Sequence, residues 1–191
     1  MDKNSEHDTE ADEQLHDASR NVDVHAVEAL LAAGADINCK DGRGRAPLHI
    51  AVVKGRADVA TVLIAAGADV EVKAALQCTP LHLAVLKKRA DCVAVLIAAG
   101  ADVYVRDTRQ YTPLQFAALK GHADVATTLI AAAADMNVST VHGETPLHFA
   151  LRSRKTKVAT ILIAAGADVN VSNEYGVWSD SSTFRTLLST Q

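Results

Sequence analysis

Aromatic residues make up only 4 % of this 191-residue chain, although 49 % of it is apolar. A core so short of large rings has to be filled by Ala, Val, Ile and Leu, which implies closely approaching helices. No apolar run reaches the roughly 18 residues that a membrane-spanning helix requires, so no membrane association is expected. The charged stretch from Met1 to Glu13 lacks the apolar core of a secretory signal. The expected location is therefore intracellular and cytoplasmic, with secretion as an effector left open. Cysteines are few: Cys39, Cys78 and Cys92 are odd in number, widely spaced and form no CxxC pair. That argues against a disulfide framework or a zinc site and for free structural thiols. The chain also lacks a GxxxxGK[ST] phosphate loop, an HExxH helix and a GxSxG elbow. No enzyme, cofactor or metal is expected.

Proline is equally scarce, and here the scarcity is informative. The four prolines, Pro47, Pro80, Pro113 and Pro146, are spaced 33 residues apart. They sit in Ala46-Pro47-Leu48-His49, Thr79-Pro80-Leu81-His82, Thr112-Pro113-Leu114-Gln115 and Thr145-Pro146-Leu147-His148. A second motif follows each 20 residues later: Gly67-Ala68-Asp69, Gly100-Ala101-Asp102, Ala133-Ala134-Asp135 and Gly166-Ala167-Asp168. Gly34-Ala35-Asp36 begins that series without a proline of its own. In each unit Thr can cap a first helix and Pro suits its first turn. A second helix, such as Val59 to Ala66, stops at Gly67, the residue type that accepts the left-handed conformation.

This period and its T-P-L-H-x-A phrase resemble the ankyrin repeat over about residues 15–172. The resemblance implies an all-α solenoid of helix–turn–helix units joined by β-hairpin-like loops. Residues 15–40 then form an N-terminal capping repeat, followed by repeats over 41–73, 74–106, 107–139 and 140–172. Residues 1–14 carry Asp2, Glu6, Asp8, Glu10, Asp12 and Glu13 against Lys3 and are expected to be a disordered acidic tail. Residues 173–191 read as a partial repeat whose Phe184, Leu187 and Leu188 would cover the end of the stack; a fragment of a longer array is the alternative.

Eight histidines invite a metal reading. His49, His82 and His148, however, fill one slot of successive repeats, and packed helices lie about 10 Å apart, too far to share an ion at about 2 Å. In the family this histidine bonds loop backbone, a structural task. His7, His16, His25, His122 and His142 are scattered and expected to be exposed. Three departures should weaken the array. Ala46 lacks a capping hydroxyl, Ala133 replaces the helix-ending Gly, and Lys88 and Arg154 stand where Gly55 and Gly121 stand elsewhere.

The resemblance also places the binding surface on a concave side built from loop tips and first helices. The slots that vary among family binders carry Arg43, Arg45, Lys54, Lys73, Lys87, Arg106, Arg109, Lys120 and Arg152, with Arg20 and Lys40 upstream; Glu144 and Glu174 are the acids. Val53, Leu76, Leu86, Tyr111 and Leu119, with Val141, interleave apolar surface. The implied function is a monomeric, non-catalytic adaptor or scaffold whose protein partner offers an acidic, partly apolar segment. An inhibitor or host-directed effector that blocks its target would use the same surface. Nucleic acid is disfavoured, because Tyr111 alone offers a stacking ring and the isoelectric point is about 6.0.

Overall fold

The computed structural model describes residues 3–21 and 23–174. Its helices are α1 (Lys3–Arg20), α2 (Val24–Ala32), α3 (Pro47–Lys54), α4 (Ala57–Ala65), α5 (Pro80–Leu86), α6 (Ala90–Ala98), α7 (Pro113–Lys120), α8 (Ala123–Ala131), α9 (Pro146–Arg152) and α10 (Thr156–Ala164), with a 3-10 turn at Ala75–Gln77. Among the described residues no strand forms. The chain divides into two compact units, 1–102 and 103–191.

Within each unit, helices of the same kind stack on one another. In the first, α1 packs on α3 and α3 on α5, while α2 packs on α4 and α4 on α6. In the second, α7 packs on α9 and α8 on α10. This is a repeat solenoid, and the sequence explains it locally. Each proline opens a first helix, where its missing N–H is not needed. Leu48, Leu81 and Leu114 follow it into the core, and Leu63, Leu96, Leu129 and Leu162 do the same from the second helices. Ala51, Ala60, Ala84, Ala117, Ala126, Ala150 and Ala159 are fully buried, so helices approach without large side chains between them.

Ala133 keeps the left-handed turn of its glycine counterparts, with φ 63° against 96° at Gly67. The closing bonds are the same in both places: Ala134 N–H to Leu129 O at 3.0 Å and Ala68 N–H to Leu63 O at 2.9 Å. Tertiary demand therefore overrides the residue's preference, at a cost of about 1 kcal/mol. Lys88 and Arg154 are likewise left-handed, at φ 54° and 53°. At Gly121 a second requirement appears, because a Cβ there would lie 2.6 Å from the Lys155 side chain.

The N-terminus departs from the sequence-based expectation. Leu15 and His16 stand 33 residues before Leu48 and His49, so α1 supplies the first helix of the opening repeat. With Gln14 in the proline slot, nothing halts that helix, and it continues upstream to Lys3. The acidic segment expected to be disordered is thus helical from Lys3. Asp12 is also engaged, its carboxylate accepting the Asp36 N–H at 2.9 Å. His16, expected at the surface, is buried and its Nε2 lies 3.1 Å from the Arg45 carbonyl. The end cap expected beyond Glu174 lies outside the described residues.

Candidate protein-binding face

Each loop that precedes a first helix is a five-residue turn closed by its own backbone. Asp41 N–H donates to Arg45 O at 3.0 Å, Asp107 N–H to Tyr111 O at 3.1 Å and Thr140 N–H to Glu144 O at 3.1 Å. The first residue then staples the turn. Asp41 Oδ1 accepts the Arg43 and Arg45 N–H groups, and Asp107 Oδ1 accepts those of Arg109 and Tyr111. Thr140 Oγ1 does the same more loosely, at 3.3 Å twice. Ala74 begins the remaining loop and offers no such acceptor. That loop still closes, Ala74 N–H to Cys78 O at 3.0 Å, but Leu76 and Gln77 both become left-handed, at φ 58° each.

Within each unit the histidine slot ties a turn to the next repeat. His49 Nδ1 accepts the Ala46 N–H at 3.1 Å, which leaves the proton on Nε2 to donate to Cys78 O at 3.2 Å. Burial pushes His49 down to about 4, so the ring is held neutral. Gln115 performs the same task with an amide: its Oε1 accepts the Thr112 N–H at 2.9 Å and its Nε2 donates to Val138 O and Glu144 O. The capping role expected of threonine is partly redirected. Thr79 and Thr145 place their hydroxyls against the histidine rings, at 3.1 and 2.9 Å, while Thr112 Oγ1 accepts from Gln115 N–H at 3.4 Å. Ala46 has no hydroxyl to place there, and its N–H bonds His49 as the threonine N–H groups bond His82 and His148.

A second ladder runs between neighbouring repeats. Asn38 Oδ1 accepts the Asp69 N–H at 3.0 Å, Glu71 Oε1 the Asp102 N–H at 2.8 Å and Asn137 Oδ1 the Asp168 N–H at 2.8 Å. Tyr104 occupies the same slot and donates its hydroxyl to Ala133 O at 2.8 Å. The 33-residue spacing of 38, 71, 104 and 137 is the signal that could have revealed it.

The two units present their cations differently. In the first, Arg45 is half-buried and its Nε and Nη2 reach Asp41 Oδ2 at 2.9 and 2.6 Å. Burial alone would raise the Asp41 pKa, but the bonds from Arg45 and the loop N–H groups outweigh it and hold the carboxyl at about 2. Arg43, Lys54, Lys73 and Lys87 are exposed. Lys40 Nζ donates to Lys73 O at 3.2 Å. Val53 and Leu86 are half-buried beside Lys54 and Lys87, and Leu76 is 60 % exposed.

In the second unit most arginines are already occupied. Arg152 reaches Glu144 Oε1 at 2.6 Å and lies 5.1 Å above the Phe149 ring. Arg109 sits 3.5 Å from Asp107 Oδ2 and 5.3 Å above Tyr111. Arg106 donates to Ser139 O at 3.2 Å and Gln110 O at 3.4 Å. Tyr111 packs edge-on against Phe116 and Phe149. Lys120 is exposed beside half-buried Leu119. The sequence count of basic over acidic residues therefore overstates the available charge. Glu144, read as surface acid, is buried and spoken for, and Arg45, Arg109 and Arg152 each carry an internal counter-ion.

Other chemistry finds little footing. Burial raises Cys39 to about 12 and Cys92 to about 11, so neither is a reactive thiolate at neutral pH. Among the described residues no three His, Cys, Asp or Glu side chains are grouped to hold a metal ion, and no helix is long and apolar enough to cross a membrane.

Known proteins carry the same pattern. The chain is 47 % identical over 49 residues to the Neurogenic locus Notch protein of Drosophila melanogaster, a stretch that is 26 % of this chain and 2 % of that protein. The family model for ankyrin repeats in three copies matches residues 15–107 and 101–173. A match of that extent takes in most of the chain, and on it this protein belongs to the ankyrin-repeat family, whose repeats are protein–protein interaction modules.

Proposed function

We propose that the chain is a monomeric, non-catalytic adaptor that binds an acidic, partly apolar segment of a protein partner through its loop tips and first-helix ends. One observation carries this reading. Lys54, Lys87 and Lys120 are exposed at the same slot of three successive repeats, each next to a half-buried apolar residue, Val53, Leu86 or Leu119. No ion pair holds these lysines among the described residues. Each repeat thus offers a cation for steering and an apolar edge for contact. Blocking a target enzyme or receptor would use the same surface and differs only in what the partner loses.

The test begins with selection of binders to the full chain from a random-peptide display library. Acidic peptides with large apolar side chains should be enriched, and their affinity should fall as salt rises. The variant Lys54→Glu/Lys87→Glu/Lys120→Glu should weaken them by about tenfold or more. Arg45 is left in place because it staples its own loop. Enrichment without acidic bias, or an unchanged affinity in the triple variant, refutes the reading. A single-stranded oligonucleotide in a mobility-shift assay serves as the competing ligand class.

A further inference from the structure

Leu76 is a large apolar side chain where a folded protein gains least from one. It is 60 % exposed at the tip of its loop and its backbone is left-handed, φ 58° and ψ 24°. Bulky residues seldom occupy that region, and the conformation costs on the order of 1 kcal/mol. The other five-residue turns form the same closing bond without a left-handed residue at the equivalent position, where Arg43, Arg109 and His142 stand. Each of those turns, however, is stapled by Asp41, Asp107 or Thr140, an acceptor that Ala74 lacks. The missing staple accounts for the strain, but an apolar side chain at the exposed tip adds nothing evident to the free fold and calls for a use in a complex.

Its surroundings specify that use. The preceding loop lies against this one, since a Cβ on Gly44 would be 4.0 Å from Ala75 N. Arg43 precedes Gly44 and Leu76 follows Ala75, so the two loop tips are adjacent. Lys73 precedes the loop, and Lys40 Nζ bonds the Lys73 carbonyl at 3.2 Å. All three cations are exposed. The nearby acids are engaged: Asp41 with Arg45, and Glu71 with the Asp102 N–H.

We infer that Leu76 is the apolar anchor of the partner complex, meeting an apolar side chain of an acidic peptide segment whose carboxylates fall on Lys40, Arg43 and Lys73. The inference rests on the function proposed above and names its centre.

Peptides selected on the full chain are the probe. Leu76→Asn suits the left-handed backbone and removes the apolar tip. It should leave the melting temperature unchanged or raised while weakening the peptides about tenfold. Leu76→Met keeps the bulk and should retain binding. Lys40→Gln/Arg43→Gln/Lys73→Gln should reduce affinity and flatten its salt dependence. If selected acidic peptides respond to the Lys54, Lys87 and Lys120 reversals but not to Leu76→Asn, this inference fails while the broader function stands. If no acidic peptides are selected, the broader function fails. A lower melting temperature in Leu76→Asn would show that the leucine serves the fold and would also overturn the proposal.

Discussion

The two units of this chain are built from one repeat, yet they use several of its variable positions differently. In the first unit, Arg43, Lys54, Lys73 and Lys87 reach solvent and one loop holds an apolar tip outward. In the second, Arg109 and Arg152 are stacked on rings and tied to Asp107 and Glu144. The lesson is that a family slot defines where a side chain starts, not what it is available to do. Counting charges by slot treats both units alike; counting after internal pairing does not.

The largest expected contrast concerns acid. The first unit joins its repeats through His16 and His49, whereas in the second Gln115 does the same with an amide. Burial, with smaller contributions from Lys40 and Arg45, lowers His49 to about 4 from 6.5, against an opposing pull from the Cys78 carbonyl and Asp41. Between those values the unfolded chain binds the proton and the folded chain does not. The stability that this neutral ring contributes is therefore fully present above about pH 6.5 and lost as pH falls to about 4. At about 1.4 kcal/mol per pKa unit, the loss is on the order of 3 kcal/mol. His49→Gln, which copies the second unit, should flatten that slope in urea titrations at stepped pH. An unchanged slope would show that other groups dominate the acid response.

A smaller effect belongs to the first unit alone. Ser19 is fully buried in α1 at the slot where Val52 and Val85 stand in later repeats, and its hydroxyl finds no hydrogen-bond partner. Ser19→Ala removes the buried hydroxyl without adding volume. It should stabilise the protein by about 1 kcal/mol in denaturant unfolding. A destabilised variant would mean that the hydroxyl is bonded in solution.

The smallest contrast is a residue swap between units. Ala133→Gly should relieve left-handed strain in the second unit by somewhat under about 1 kcal/mol, because glycine's greater unfolded-state freedom offsets part of the gain. Gly67→Ala should cost the first unit a similar amount, since its Cβ would meet nothing within 4 Å and the conformation alone is penalised. Hydrogen exchange gives the site-resolved check: amides near Ala133 should exchange faster than those near Gly67. Equal protection would show that the Tyr104 bond to Ala133 O makes good the strain.

Much of the fold was legible because its signals are local. Proline at the first turn, glycine at the helix end and the 33-residue period set the helix starts, stops and pairing with no knowledge of neighbours. His16 was misread for an instructive reason. Its repeat lacks proline, so the motif that flagged His49 was absent, although Leu15-His16 sits in the same register. The acidic segment was misread similarly, since its composition argues for disorder while helix propagation from Leu15 and the Asp12 bond to Asp36 N–H hold it. At the binding face, the residue types were readable, but the pairing of Arg152 with Glu144 eight positions away and the ring stack under Arg109 were not.

What the sequence determined by itself is the repeat: its period, its paired helices and the residues set at each loop tip and helix end. Those follow from hydrogen bonding and sterics within a few residues of the chain. Only the tertiary structure decided which cations stay available, which histidines are buried and neutral, and that Leu76 is held outward. The histidines depend on carbonyls brought within a few ångströms from about 30 residues away. The cations depend on how each loop folds Arg45 onto Asp41 or Arg152 onto Glu144, and Leu76 on an acceptor that its loop does not possess.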